Sequence, residues 1–302
     1  MPYKILITGI NRNNSGKTIV GVGIANGLKN KGYKVIPFKP FSFHNWFTQY
    51  STTLENIKYG TIFSEDIFKL REVSNCRERY EVLNPVDNLI APLDIYWFIE
   101  HNFTSMYYSY QLNIMRQILV TRVSYVNDRE RIFNLGILNK WLIDREIAYV
   151  DNTVTNSVTK KFDEIVEVND LDTLAKIIVD HSARAIGLSC KLLEKYDKDI
   201  VLIESYSDSA WPFLSDISLD LVLAVAPGIV LVYPPEKYTM AVKIRTSIYK
   251  SLLGVSVKDI LDYLSPVKHF KIPPVQSILI PETVEERIKE LLDYIVSRIE
   301  EK

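Results

Sequence analysis

The chain has 302 residues, is 47% hydrophobic and 24% charged, and carries a formal net charge of −1. That length holds one large α/β domain or two small ones with ample core, and the near-zero charge supplies no bulk field for nucleic acid or acidic lipid. Two cysteines, Cys76 and Cys190, give neither a disulfide framework nor metal-ligand spacing and suit a reducing compartment.

In chain order, the opening MPYKILITGI has too short an apolar run for a signal peptide, so a cytoplasmic protein is expected. YKILITG reads as a strand buried on both faces of a parallel sheet. GKTIVGVGIANGLKNKG follows as a helix, with Ile19, Val22, Ala25 and Leu28 at helical spacing and Gly32 as the C-terminal cap. YKVIPF is a second strand, which completes a strand–loop–helix–strand opening. SEDIFKLREV reads as helix and NPVDNLIAPLD as a Pro-containing loop. The stretch from Tyr96 to Leu142 is aromatic-rich, and within it RQILVTRVSYVNDRERIFNLGI reads as a hairpin turning at Asn127–Asp128. LDTLAKIIVDHSARAIGLSCKLLEKY is helical by period, and DIVLIE and LDLVLAVAPG are further strands. The longest apolar run, Leu221 to Tyr233, is broken by Pro227 and Gly228; it is too short to span a bilayer and reads as buried strand, so no membrane partner is expected. A last helix starts near Glu282, behind Pro281.

The chemistry concentrates in GINRNNSGKT, between the first strand and the first helix. A phosphate-binding loop needs inward-pointing backbone N–H groups, a helix N-terminus behind them, a lysine, and a hydroxyl for Mg²⁺. Here the loop is Asn11, Arg12, Asn13, Asn14, Ser15, Gly16, Lys17 and Thr18. Gly16 allows close backbone approach, Lys17 reaches the β- and γ-phosphates, and Thr18 offers its hydroxyl to the metal. The place of the motif's first glycine holds Asn11, and Asn13 and Asn14 partly make up for the missing glycines, because Asn tolerates positive φ better than most residues. The competing reading is a chance SGKT at a helix N-terminus. The strand before and the helix after are the context that the motif demands.

Four stretches, in order, resemble dethiobiotin synthetase, a member of the P-loop class that includes the cobyrinic acid amidases and the partitioning ATPases. ILITGINRNNSGKT resembles the family's strand and loop, and YKVIPFKPFS its second strand ending in Lys-Pro. SEDIFKL with NPVDNLIAPLD resembles its Ser-Asp helix and Asn-Pro…Ala-Pro segment. DIVLIESYSDSAWPFLSD resembles its strand ending in Glu, with a Pro and a Ser-Asp beyond. The resemblance implies a P-loop NTPase fold: one α/β domain over 1–302, a mostly parallel sheet with helices on both faces, and an unmatched insertion near 95–195. It implies ATP as substrate and Mg²⁺ as cofactor, with Lys17 and Lys39 as catalytic lysines and Thr18, Asp66 and Glu204 as metal ligands. Read from the residues alone, Lys39 also reads as a strand-end surface lysine, Asp66 as an early-turn acid favoured by the helix dipole, and Glu204 as a strand-end acid, though one without a partner is uncommon.

The sequence departs from that family after Glu204. The family has a Gly-rich stretch there, while this chain has Ser205, Tyr206, Ser207 and Asp208. The loop is one residue longer, and no counterpart of the base-reading Asn stands out. The implied function is a Mg²⁺-dependent ATPase or ligase-like enzyme that activates a carboxylate or carbamate of an unidentified small-molecule substrate. The alternative is a regulatory dimer-switch ATPase: in the septum-site and partitioning ATPases a signature Lys has the spacing of Arg12 and reaches the partner subunit's nucleotide, although Arg12 reads slightly better as a solvated loop arginine. Either way a homodimer is expected. Of the remaining candidates, His44, His101, His181 and His269 lack paired ligand spacing, and Ser189–Cys190 reads as core. FSFHNWFTQY and the aromatic cluster at 94–110 read as packing or as pocket, and for the cluster as a subunit interface.

Overall fold

A computed structural model describes residues 1–212, 217–248, 254–275 and 280–302. The Ser215–Asp216 pair used in the resemblance lies outside the described residues. The described residues form an α/β protein with eleven strands. These are β1 (Tyr3–Gly9), β2 (Val35–Phe38), β3 (Phe41–Asn45), β4 (Val86–Ile90), β5 (Ile118–Val126), β6 (Ile132–Asn139), β7 (Glu164–Val168), β8 (Ile200–Glu204), β9 (Leu221–Ala226), β10 (Ile229–Tyr233) and β11 (Lys268–Lys271). By internal contacts the chain divides into two compact units. The first takes in Met1–Pro40, Asp66–Glu78 and Leu193–Lys302; the second takes in Phe41–Glu65 and Arg79–Leu192.

The first unit holds a six-stranded sheet in the order β11-β10-β9-β1-β8-β2. β1 lies parallel to both β8 and β9, and β2 lies parallel to β8. The sheet is mixed, because β10 and β11 run antiparallel to their neighbours. The run Leu221–Tyr233, expected as one buried strand, is therefore a hairpin of two. Gly228, at φ +81, makes the turn that Pro227 starts. The helix Lys17–Asn30 packs its Val20, Ile24 and Leu28 with Ile5 and Ile7 of β1 and with Ile288, Leu292 and Ile295 of the C-terminal helices. Burial of that stripe, at roughly 1.5–3 kcal/mol per large apolar side chain, fixes the helix against the sheet.

The second unit holds a five-stranded mixed sheet in the order β3-β4-β5-β6-β7. Its core includes Trp46, Leu89, Phe98, Tyr110, Val120, Leu142 and Val158. The expected hairpin is present: β5 and β6 pair antiparallel around Asn127–Arg131. Two expectations are corrected. Where the sequence reads as one mostly parallel sheet, there are two, both mixed. The stretch NPVDNLIAPLD is not all loop, because Val86–Ile90 is a fully buried strand. Its prolines, Pro85 and Pro92, lie just outside the strand, where no ladder donor is needed. The segment expected as an insertion supplies β5, β6 and β7, which complete a sheet begun by β3 and β4. The stretch FSFHNWFTQY opens with strand β3, and its Trp46 is core. Ser189 and Cys190 are buried in the helix Leu171–Leu193, as expected.

Candidate functional site

Three parallel strands end at one edge of the first unit's sheet. β8 lies between β1 and β2, with Ile7 opposite Glu204 and Phe38 opposite Ile203. That register sets Lys39, one residue past β2, beside Glu204, the last residue of β8. The loop after β1 leaves from the same edge, where open α/β sheets bind ligands. Asp66 arrives from the start of the helix Glu65–Val73.

Four side chains converge. The Thr18 hydroxyl bonds to Asp66 Oδ1 at 2.8 Å and to Glu204 Oε1 at 3.1 Å. Lys39 Nζ donates to Asp66 Oδ2 at 2.6 Å, to Glu204 Oε1 at 2.8 Å and to the Ser205 carbonyl at 3.2 Å. Lys39 and Glu204 have side chains only 3% and 1% exposed, whereas Asp66 is 35% exposed and opens the cluster to solvent.

The electrostatics follow from burial set against pairing. For Lys39, burial disfavours the ammonium, but Asp66 and Glu204 override it and raise its pKa. For Asp66, burial pushes up while the Lys39 ammonium and the Thr18 hydroxyl pull down, and the carboxyl ends at about 2. Glu204 is raised, first by burial and then by the neighbouring Asp66 charge. Its Oε2 is buried and has no hydrogen-bond partner.

The loop supplies the second half of the site. Gly16 caps the helix at φ +91, a left-handed conformation that favours glycine, and no side chain caps the helix in its place. The first helix turn therefore keeps the unpaired N–H groups and positive dipole end that attract anions. Lys17 Nζ turns onto the Ser207 carbonyl at 2.6 Å and the Ser15 hydroxyl at 3.3 Å. Its pKa is lowered, by burial first and then by Lys39. Asn14 takes positive φ, at +54; Asn13 does not use that freedom. Asn11, Arg12, Asn13 and Asn14 are all exposed. The Arg12 side chain is 78% exposed, with Nε 4.0 Å from Asp208 Oδ1, and its carbonyl accepts from the Ser207 hydroxyl at 3.0 Å.

The expected residues Ser15, Gly16, Lys17, Thr18, Lys39, Asp66 and Glu204 thus meet at one edge, while the side chains of Asn11 to Asn14 face solvent. Sequence reasoning missed Gly9 and Ser207. A Cβ on Gly9 would lie 2.7 Å from Ser15 Oγ and 2.9 Å from both Lys17 Nζ and Ser207 O. A glycine at the strand end was the available signal. Ser207 acts through its backbone carbonyl, which leaves no side-chain signal, and it does so from a left-handed turn at φ +45.

Among the described residues no group of three or more His, Cys, Asp and Glu side chains gathers. His44 lies buried between Asp87 and Asn56 in the second unit. The two carboxylates and one hydroxyl of the cluster suit Mg²⁺, which takes one or two protein carboxylates and completes its shell with water and phosphate. The buried, unpartnered Glu204 Oε2 is a further oxygen of the same chemistry. Among the described residues no helix is long and apolar enough to cross a membrane. In comparisons with protein-family models, curated proteins and solved structures, nothing matches this chain.

Proposed function

We propose that the chain binds a Mg²⁺–nucleoside triphosphate at the 11–18 loop and catalyses transfer or hydrolysis of its terminal phosphoryl group. One observation carries the proposal: Thr18, Lys39, Asp66 and Glu204 meet within hydrogen-bond distance, beside an uncapped helix N-terminus and Lys17. Phosphoryl transfer asks a protein mainly for positioning and charge stabilisation. In this reading Lys17 and the N–H groups of the first helix turn hold the phosphates. Thr18, Asp66 and Glu204 hold the metal, which when bound neutralises charge on the phosphate oxygens. Lys39 stabilises the transferring group.

The leading version is a ligase-like enzyme in the manner of dethiobiotin synthetase, in which a substrate carboxylate or carbamate takes the phosphoryl group as a mixed anhydride. The polar Ser205–Asp208 segment favours a substrate different from that family's. Both cysteines are buried and neither forms a disulfide, which suits a reducing cytoplasm. The second reading, a dimer-switch ATPase, is favoured by the exposure of Arg12, which would leave its guanidinium available to a partner subunit's nucleotide.

Thermal melting with and without Mg²⁺–ATP tests the proposal. At a hundredfold over Kd, ligand adds about 2.7 kcal/mol of stability, and Lys17→Ala should abolish the shift. No shift in the wild type, or an equal shift in the variant, would sink it. ATPase rate against protein concentration separates the two readings. A rate that rises more than linearly and is lost in Arg12→Ala supports the switch; a linear rate lost in Lys39→Ala supports the ligase-like enzyme.

A further inference from the structure

Lys17 and Lys39 face opposite kinds of partner. Lys17 hydrogen-bonds to neutral oxygens, a carbonyl and a hydroxyl, so an arriving anion breaks no direct ion pair to reach it. Lys39 is held by two carboxylates and a carbonyl. Its bonds use Asp66 Oδ2 and Glu204 Oε1, and Glu204 Oε1 also accepts from Thr18. Glu204 Oε1 is thus shared by Lys39 and Thr18, and an ion that takes Thr18 and this oxygen at about 2.1 Å meets the ammonium 2.8 Å from the same atom, where the two cations repel each other strongly.

We infer that Lys39 is the resident counter-cation of Asp66 and Glu204, and that a divalent cation displaces it, so that metal and nucleotide bind as a coupled pair. The inference rests on the metal reading proposed above. The coupling follows from burial. Once displaced, the Lys39 ammonium is a buried charge without its carboxylates, and such a charge is strongly destabilising until a new anion pairs it. A triphosphate on the adjacent helix N-terminus is that anion. Metal alone therefore binds weakly, metal with nucleotide binds well, and by linkage each ligand strengthens the other equally. The partial exposure of Asp66 gives a hydrated ion its way in. Lys39 is then a positioning residue before it is a catalytic one, since it holds the two metal-ligating carboxylates in place until the ion arrives.

The test is a titration with Mn²⁺ alone, read by the electron-paramagnetic signal of the free ion, on wild type, Lys39→Met and Lys39→Arg. Removing the competing charge should tighten Mn²⁺ binding by about tenfold or more in Lys39→Met, because repulsion between two cations a few ångströms apart in a buried site is large enough for an effect of that size. Lys39→Arg keeps the charge and should bind like the wild type. Equal affinity in wild type and Lys39→Met overturns the inference, as does an equal gain in Lys39→Arg. If Lys39→Met is unfolded in chelator, millimolar Mn²⁺ should restore its far-ultraviolet circular dichroism, and failure to do so also overturns it. The underlying reading fails separately. A wild type that binds no β,γ-imido-ATP at any Mn²⁺ concentration removes the nucleotide, while the competition between Lys39 and Mn²⁺ is still decided by the three affinities for the ion alone.

Discussion

Replacing Gly9 with alanine adds one methyl group at the most crowded point of the site. The new Cβ would lie 2.7 Å from Ser15 Oγ, 2.9 Å from Lys17 Nζ and 2.9 Å from Ser207 O. Comfortable non-bonded contact begins near 3.5 Å, so each contact is short by about 0.6 Å or more. Ser15 and Lys17 can yield at their side-chain ends, but Lys17 then surrenders its 2.6 Å bond to Ser207. Ser207 O is backbone, in a turn already at φ +45. Overpacking of this kind costs about 1–3 kcal/mol, and a lost hydrogen bond from a charged donor about 1.5–3 kcal/mol. A destabilisation of about 2.5–6 kcal/mol is expected, together with weaker nucleotide binding because Lys17 is misplaced. Gly187 makes the control: it is in the helix Leu171–Leu193, and a Cβ there meets nothing within 4 Å. Gly187→Ala should stabilise by about 0.5–1 kcal/mol through helix propensity alone. Urea unfolding monitored by circular dichroism, with Mg²⁺–ATP binding measured alongside, reads both effects. A Gly9→Ala protein as stable as the wild type and binding nucleotide equally would refute the reasoning.

Two further outcomes concern titratable groups. The Asp66 carboxyl sits at about 2, below its ordinary 3.8, because Lys39 and Thr18 outweigh burial. A depressed carboxyl contributes stability that is complete above about pH 4 and is lost as pH falls toward 2. In chelator, unfolding free energy should therefore fall between these values in the wild type and less steeply in Asp66→Asn; parallel curves would remove Asp66 from the acid response. The Cys76 thiol, buried and donating to Glu78 Oε2 at 2.7 Å, is pushed up to about 12 by burial and by that carboxylate. Since the thiolate is the reactive form, an aromatic disulfide at pH 8 should modify Cys76 at least about a hundredfold more slowly in native than in unfolded protein. A Cys190→Ser background assigns the signal, and rapid native labelling would contradict the placement of Cys76.

By itself the sequence determined the elements whose signal is local. YKILITG and DIVLIE are continuous apolar strands, the 171–193 helix has its 3.6 period, and the hairpin turns where Asn127 and Asp128 lie. The loop lysine and threonine were legible because they follow a strand and open a helix. What it could not determine was anything that depends on which distant segments become neighbours. Val86–Ile90 reads as loop because prolines flank it, and only its pairing with β3 and β5 makes it a strand. β3, β4, the β5–β6 hairpin and β7 come from separated stretches of the chain, so no local period announces that they share a sheet. Lys39, Asp66 and Glu204 were nameable one by one, yet each kept a bland reading as a strand-end or early-helix charge. The parallel register of β2 and β8 decides that Lys39 and Glu204 meet, by bringing a buried lysine against a buried glutamate at an edge where neither charge would be stable alone.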